Sequence, residues 1–145
     1  MEAIKHFNGK YAFLSNFYNC PVVINNIQFQ NSEAAFQAMK CITQSDRYCF
    51  ANLPPNKAKQ LGRHVTLRPD WNDIRIDIMK QVVLDKFTRN TDLGTKLLET
   101  GDAELIEGNN WHDTFWGVDD TTNIGENHLG KILMEVRNIL KTKNT

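Results

Sequence analysis

The ten residues 108–117 hold the densest group of chemically versatile side chains in the sequence. They include two of the three tryptophans, Trp111 and Trp116, together with one histidine, Asn109 and Asp113. Their apolar spacing fits neither a helix face nor an alternating strand, and Gly-Asn-Asn favours a turn. The pattern therefore predicts a loop that presents aromatic planes and one acid to a ligand. The alternative is a tryptophan-rich corner that fills the core, with Asp113 capping a local turn.

Glu33 and Lys40 form a second candidate pair. They are seven residues apart, so on one α-helix they share a face about two turns, roughly 10.5 Å, apart along the axis. That reach suits the two ends of one small ligand. The alternative is a solvated helix surface on which Glu33 favours the positive end of the helix dipole.

A short aromatic segment, residues 13–18, is typical of contact with a planar heterocycle. Phe13 and Phe17 could stack on a base, and the amide of Asn16 offers both a donor and an acceptor to its edge. Core packing explains the two phenylalanines equally well. It explains Ser15 and Asn16 less readily.

Gly62 and Arg63 lie at a predicted helix end, with Arg68 and Trp71 shortly after them. A turn there can aim a guanidinium and an indole into one cleft, and the planar fork of arginine matches phosphate oxygens. A surface ion pair for Arg63 and a core position for Trp71 are the alternatives. The sequence does not support a glycine-rich phosphate loop, because neither Gly-x-Gly-x-x-Gly nor Gly-x-x-x-x-Gly-Lys is present.

Length and composition narrow the class of protein. The 145 residues, 41% of them hydrophobic, fit one domain with a real core. Seventeen basic and seventeen acidic residues give zero formal charge, so no global field attracts nucleic acid or an anionic membrane. The three cysteines are odd in number and include no Cys-x-x-Cys pair, and the four histidines lack metal-ligand spacing. This pattern predicts a reduced protein without structural zinc. Since neither a signal peptide nor a membrane span is recognisable, we expect a soluble, cytoplasmic protein.

Local patterns predict the elements that position these residues. Segments 22–24 and 27–29 flank Asn25-Asn26, a pair that tolerates the positive φ of a two-residue hairpin turn. A helix over residues 33–42 follows, capped by Asn31 or Ser32. We expect its buried face to hold Ala35, Ala38, Met39 and Ile42, and its opposite face to hold Glu33, Phe36, Gln37 and Lys40.

Further helices are predicted over residues 55–62, 71–87 and 92–100 and over a last segment that begins near Leu129. Gly62 and Gly101 would close the first and third of these. Residues 65–67 and 104–107 are predicted as short strands, and residues 141–145 as a frayed tail. Helices and strands do not alternate regularly, so the predicted class is α+β, a single mainly helical domain over residues 1–145 with a small hairpin sheet.

Taken in order, several segments resemble the YbiA-like, or NADAR, family of N-glycosidases. The resemblance rests on YAFLSNFY at residues 11–18, NSEAAFQAMK at 31–40, GR at 62–63 with DW at 70–71, EGNNWHDTFWG at 107–117 and GENHLG at 125–130. These segments span nearly the whole chain. The resemblance implies the YbiA-like α+β fold.

Two positions depart from the family pattern. Family members often have a histidine directly after the helix-opening glutamate, where this chain has Ala34, and an acidic-glycine turn where it has Asn25-Asn26. The turn exchange is neutral. Ala34, however, removes a polar group beside the suspected catalytic acid and leaves the substrate's identity open.

The resemblance implies hydrolysis of the N-glycosidic bond between a ribose, phosphoribose or ADP-ribose and an amine or base. Known members resemble hydrolases of ribosylamino-pyrimidine intermediates of riboflavin biosynthesis, and relatives remove ADP-ribose from guanine bases in DNA or RNA. Both substrates contain a planar heterocycle, a ribose and phosphate. The alternative from another class is a non-catalytic module that binds ADP-ribose or a related nucleotide.

Breaking the C1′–N bond leaves positive charge on the sugar and requires a proton or hydrogen bond for the leaving nitrogen. The resemblance assigns these two duties to Glu33 and Asp113, and which of them activates water stays open. Lys40 either anchors phosphate or attacks C1′ of a ring-opened ribose. The expected substrate-binding residues are Phe13, Ser15, Asn16, Phe17, Gly62, Arg63, Trp71, Asn109, Trp111 and Trp116. No metal or cofactor is expected, the expected partner is a small ribosylamine or nucleotide, and no oligomeric state is predicted.

Overall fold

In the structure, a computed structural model that describes residues 1–143, Asn25 and Asn26 turn the chain between two antiparallel strands. Both asparagines adopt positive φ, 51° and 63°, which is the geometry of the predicted two-residue hairpin turn. Strand β1 is Asn19–Ile24 and strand β2 is Ile27–Asn31. Their inward side chains alternate with outward ones, and the predicted hairpin is confirmed.

The described chain divides into two units. One contains Met1–Ser15 together with the chain from Thr91 onward, and the other contains Asn16–Asn90. Helices dominate both units and the strands are few and short, so the predicted mainly helical α+β class is confirmed.

Four helices follow the hairpin in the second unit: α1 Ser32–Ala38, α2 Gln44–Tyr48, α3 Pro55–Gly62 and α4 Trp71–Arg89. Helices α3 and α4 match their predictions closely. Helix α2 was not predicted, because five residues carry too little periodicity to recognise. Asp85 of α4 accepts a hydrogen bond from the Val23 N–H of β1 at 2.8 Å, so one backbone donor of the hairpin has its partner on a helix.

Helix α1 is shorter than the sequence predicted and more deeply buried. It ends at Ala38, and Ile42, expected on the buried face, is 54% exposed. Phe36 and Gln37, expected on the open face, are buried. Helix α1 contacts the hairpin, α3 and α4, so neighbours cover both of its faces and a two-faced pattern does not apply to it.

Two arginines contribute to the early end of α1, one through its backbone and one through its side chain. The Lys40 N–H bonds the carbonyl three residues back at 3.1 Å, which tightens the last turn. Arg68 donates from its backbone N–H to the Lys40 carbonyl at 2.9 Å, and Arg47 Nη2 donates to the Cys41 carbonyl at 3.0 Å. These carbonyls therefore have partners without a longer helix.

The strand predicted at residues 65–67 is wrong. The segment is irregular, and Leu67 is 49% exposed. A β-branched run forms a strand only where a partner strand is available. In this unit the one described sheet is the two-stranded pair β1–β2.

The other unit combines a 3-10 helix at Gly9–Leu14 with helices α5, Thr91–Glu99, and α6, His128–Lys143. Gly101 adopts a φ of +65° just after α5, as predicted for a closing glycine. Helix α6 includes residues 141–143 of the predicted frayed tail, and residues 144–145 lie outside the described residues. The buried core of this unit includes Leu93, Leu97, Leu105, Leu133 and Val136.

Two short parallel strands bracket the tryptophan loop. They are β3, Gly108–Asn109, and β4, Val118–Asp119. The strand predicted at residues 104–107 is wrong, because only Leu105 pairs there, in an isolated bridge with Ile4. The loop between β3 and β4 is therefore anchored by backbone pairing at both ends.

Candidate active site

Glu33 is held in place by the start of helix α1. The cap is Asn31, whose Oδ1 accepts the Ala34 N–H at 2.7 Å and whose Nδ2 donates to the Leu53 carbonyl at 3.1 Å. The Glu33 N–H donates to the Asn16 carbonyl at 3.0 Å. A fully buried cap and a long-range backbone bond thus fix the backbone of this glutamate.

The carboxylate of Glu33 accepts a hydrogen bond from Gln37. The distance from Gln37 Nε2 to Glu33 Oε2 is 2.7 Å. Gln37 lies one helical turn after Glu33 and is 6% exposed. Our sequence analysis did not name it as a site residue, although the i, i+4 spacing on a predicted helix was a usable signal.

Lys40 lies within the field of one carboxylate and two cations. Burial of the ammonium is the largest cause acting on its pKa, and it holds that pKa below the ordinary lysine value. The Glu33 carboxylate raises the pKa of Lys40, whereas Arg63 and Lys59 lower it. The structure therefore places Glu33 and Arg63 each within electrostatic range of Lys40.

Two residues of helix α3 extend this cluster. Gly62 lies directly against the Gln37 side chain, and a Cβ on residue 62 would overlap Gln37 Oε1. Lys59 Nζ lies 5.9 Å from the ring centroid of Phe17, a cation–π contact. Phe17 is 43% exposed, so its ring remains accessible for stacking beside the charged groups.

The two remaining predicted residues of this unit are buried. Asn16 is 8% exposed, and its Nδ2 donates to Met79 Sδ at 3.4 Å. Trp71 is 5% exposed, with its ring centroid 5.0 Å from that of Phe36. Asn16 accepts the Glu33 N–H through its backbone carbonyl, and Trp71 packs against Phe36 of α1.

We name the cluster of Phe17, Glu33, Gln37, Lys40, Lys59, Gly62 and Arg63 the α1–α3 cluster.

In the other unit, Asp113 organises the tryptophan loop through hydrogen bonds to backbone groups. Asp113 Oδ1 accepts the N–H groups of Phe115 and Trp116 at 3.0 and 2.9 Å. Asn109 binds the Asp113 backbone on both sides, accepting its N–H through Oδ1 at 2.9 Å and donating from Nδ2 to its carbonyl at 2.9 Å. The turn-capping alternative from the sequence is therefore present in the structure.

The two tryptophans of this loop have different surroundings. Trp116 is half-buried, and its ring centroid lies 4.8 Å from that of Phe115 and 6.4 Å from that of His128. Trp111 is 58% exposed. Only Trp111 presents most of its indole to solvent.

Phe13 and Ser15 lie at the 3-10 helix of this unit. Phe13 is 4% exposed, and Lys96 Nζ lies 5.8 Å from its ring centroid. The Ser15 N–H donates to the Ala12 carbonyl at 3.0 Å, and this hydrogen bond ends the 3-10 helix. The structure assigns packing to Phe13 and gives Ser15 a half-buried position.

A histidine–aspartate pair in the same unit was missed by the sequence analysis. His112 Nδ1 lies 2.7 Å from Asp119 Oδ2, and this hydrogen bond is the largest cause that lowers the pKa of Asp119. Asp119 is 4% exposed, whereas the His112 side chain is 70% exposed at a φ of 63°. Only the folded loop brings these residues together, so spacing carried no signal.

Metal and membrane features can be assessed over the described chain. Within residues 1–143 no group of three or more histidine, cysteine, aspartate or glutamate side chains is arranged to hold a metal ion. The three cysteines are free thiols. Among the same residues, every helix is too short or too polar to cross a bilayer.

Comparison with known proteins assigns the family. The family model described as the NADAR domain matches residues 4–141. This match covers almost the whole chain, so the chain belongs to the NADAR domain family, and the resemblance predicted from the sequence is confirmed.

Named relatives agree with this assignment. An N-glycosidase of Nostoc punctiforme is 38% identical over 133 residues, which cover 88% of this chain and 84% of that protein. The N-glycosidase YbiA of Escherichia coli is 32% identical over 130 residues, covering 88% and 80%. A riboflavin biosynthesis protein of Vibrio vulnificus is 36% identical over 139 residues, and the match covers 90% of this chain but only 36% of that longer protein.

A solved structure confirms the fold. The NMR structure of Escherichia coli YbiA superposes with a TM-score of 0.87 at 28% identity, covering 99% of this chain and 87% of that one. The predicted YbiA-like α+β architecture is therefore confirmed.

Proposed function

We propose that this chain is an N-glycosidase that hydrolyses the bond between a ribose, as its phosphate or ADP-ribose form, and an amine or base. The observation that carries the proposal is the α1–α3 cluster, in which the hydrogen-bonded Glu33 carboxylate lies in the field of Lys40. It occurs in a family whose named relatives are N-glycosidases. A carboxylate beside cations suits a sugar that becomes positive while its phosphate stays negative.

The role of Glu33 follows from the charge that develops in the reaction. As the C1′–N bond breaks, positive charge grows on C1′ and the ring oxygen, and a fixed carboxylate stabilises it. The capped helix start fixes the backbone of Glu33, and the Gln37 amide donates a hydrogen bond to its carboxylate.

Lys40 has two chemically distinct uses. As a cation, it binds the substrate phosphate together with Arg63 and Lys59. As a neutral amine, which its lowered pKa makes more abundant, it replaces the leaving amine on C1′ of a ring-opened ribose, and water then hydrolyses the imine. A borohydride trap distinguishes the two.

Asp113 is the candidate for the leaving nitrogen or the attacking water. Its Oδ1 atom already accepts two backbone N–H groups. Asp113 therefore has two roles in the proposal: its charge acts on the substrate, and its hydrogen bonds shape the loop. Trp111, with its exposed indole, is the candidate plane for the heterocycle.

The proposed substrate class is a ribosylamino-pyrimidine phosphate of the riboflavin pathway. The name of the Vibrio vulnificus relative supports this choice, and the zero formal charge of the chain offers little of the phosphate neutralisation on which polynucleotide binding depends. An ADP-ribosylated guanine oligonucleotide is the competing substrate.

The test incubates purified protein with each of these compounds and resolves the products by mass spectrometry. We expect release of ribose phosphate and free aminopyrimidine from the first compound. Release of guanine-containing oligonucleotide and ADP-ribose instead would transfer the proposal to the second. If neither compound is cleaved, while circular dichroism shows a folded protein, the N-glycosidase proposal fails for these substrates.

A further inference from the structure

Gln37 occupies an unusual place for an amide. It is 6% exposed, it donates from Nε2 to the Glu33 carboxylate at 2.7 Å, and its Oε1 is buried without a hydrogen-bond donor in the part of the chain that the structure describes. A buried acceptor without a donor destabilises the folded state. An apolar side chain of similar size would avoid that cost, so stability alone does not explain an amide here.

The orientation of the amide is set from two sides. With Nε2 toward Glu33 the contact is a charge-assisted hydrogen bond, whereas the flipped amide would place two oxygens against each other. On the other side, a Cβ at residue 62 would overlap Gln37 Oε1. Gly62 on α3 therefore leaves the space in which the Gln37 amide can reach Glu33.

We propose that Gln37 is the positioning residue for the Glu33 carboxylate, and that residue 62 is glycine because the Gln37 amide needs the space beside it. The inference rests on the proposed function in giving Glu33 its chemical duty. It also gives Gly62, predicted from the sequence as a substrate-binding residue, a specific indirect role. Neither Gln37 nor Gly62 needs to touch the substrate for this role.

The proposal predicts how Glu33 titrates. An N–H donor favours the charged carboxylate, so its removal should raise the pKa of Glu33. Lys40 interacts with Glu33 and is itself influenced by Lys59 of α3 and by Arg63 directly after it, and a Gln37 substitution removes none of these charges. The change on replacing Gln37 therefore reports the missing amide.

The first experiment is Gln37→Met, with Gln60→Met on the exposed side of α3 as the matched control. We expect kcat to fall about tenfold to a hundredfold, as for a misplaced catalytic group, with KM changed little and the variant fully folded. In protein without substrate, carbon-13 NMR should show a higher Glu33 pKa in Gln37→Met than in the wild type. The control should match the wild type in both measurements.

A second route reaches the same contact from helix α3. Gly62→Ala should lower kcat when Gln37 is present and should have little further effect in a Gln37→Ala background, where the overlapped atoms are gone. Additive losses would show that Gly62 acts independently of Gln37 and would overturn that half of the proposal.

The outcomes separate this proposal from the proposed function. A folded Gln37→Met protein with unchanged Glu33 titration overturns the positioning role, whatever the activity. If the Glu33 pKa is raised in Gln37→Met but the wild-type protein cleaves no ribosyl substrate, the positioning role is supported and the proposed function is overturned. Loss of kcat together with the raised pKa supports both.

Discussion

Replacing Lys86 with methionine should stabilise the folded protein at neutral pH and change how its stability depends on pH. Lys86 lies in α4 and is 1% exposed. Its Nζ lies 5.0 Å from the ring centroid of Phe87 and 5.8 Å from that of Tyr18. Burial lowers the pKa of Lys86 to about 8, with Cys20 opposing the shift. The folded protein therefore holds this proton less tightly than the unfolded chain does.

The sign and size of the effect follow from proton linkage. Below pH 8 both states carry the proton, so the burial penalty on the charge is fully present. Between pH 8 and the ordinary lysine value of 10.5 the unfolded state binds more protons, and the free energy of unfolding rises with pH. At about 1.4 kcal/mol per pH unit, the interval of about 2.5 units corresponds to at most about 3–4 kcal/mol.

Urea unfolding followed by circular dichroism at pH 7, 8, 9 and 10 measures this dependence. Lys86→Met should be the more stable protein at pH 7, and its advantage should shrink steadily towards pH 10. Lys57→Met, an exposed position on α3, is the matched control and should follow the wild type. Parallel wild-type and Lys86→Met curves across this range would refute the depressed lysine pKa.

Three further predictions concern the proposed chemistry. If the imine forms, borohydride added during turnover should leave a sugar adduct on Lys40, and Lys40→Arg should lose both the adduct and the turnover. If Lys40→Arg keeps substantial turnover and the wild type shows no adduct, Lys40 is a phosphate anchor. Trp111→Ala should weaken substrate binding by about 1–3 kcal/mol with little loss of stability, since the indole is 58% exposed; calorimetric binding equal to wild type would remove Trp111 from the site. Asp113→Asn keeps an oxygen that can accept both loop N–H groups but deletes the charge, so a folded Asp113→Asn protein with wild-type kcat would restrict Asp113 to shaping the loop.

Features set by a few neighbouring residues could be predicted from the sequence. Asn25 and Asn26 define the hairpin turn, and Pro55 begins helix α3, because each depends on the backbone preferences of its own residues. Gly62 is the last residue of α3, but it lacks the positive φ predicted for a closing glycine. The Glu33–Gln37 bond belongs to the same group, since four residues on a helix bring side chains together. The sequence therefore carried the signal for this contact.

Features that depend on distant segments could not be predicted. Helix α1 stops before Lys40, whose carbonyl takes the Arg68 N–H from far along the chain. The segment at residues 65–67 has strand-forming residues but pairs with no strand. At the site, the influence of Arg63 on Lys40 and the His112–Asp119 bond arise only in the folded units. Residue types in the sequence suggested N-glycosidase chemistry, but only the tertiary fold shows which charged side chains lie close to each other.

The most direct test of the central claim is the activity of Glu33→Gln on the ribosylamino-pyrimidine phosphate. Glutamine keeps the size and helical tolerance of the glutamate and removes the charge that should stabilise the sugar. The measurement is kcat/KM by mass spectrometry of released base, with Glu99→Gln, an exposed glutamate at the end of α5, as the matched control. We predict a loss of at least about a hundredfold for Glu33→Gln and none for the control. Near-wild-type turnover by a folded Glu33→Gln protein would contradict the account and return Glu33 to a structural role at the start of its helix.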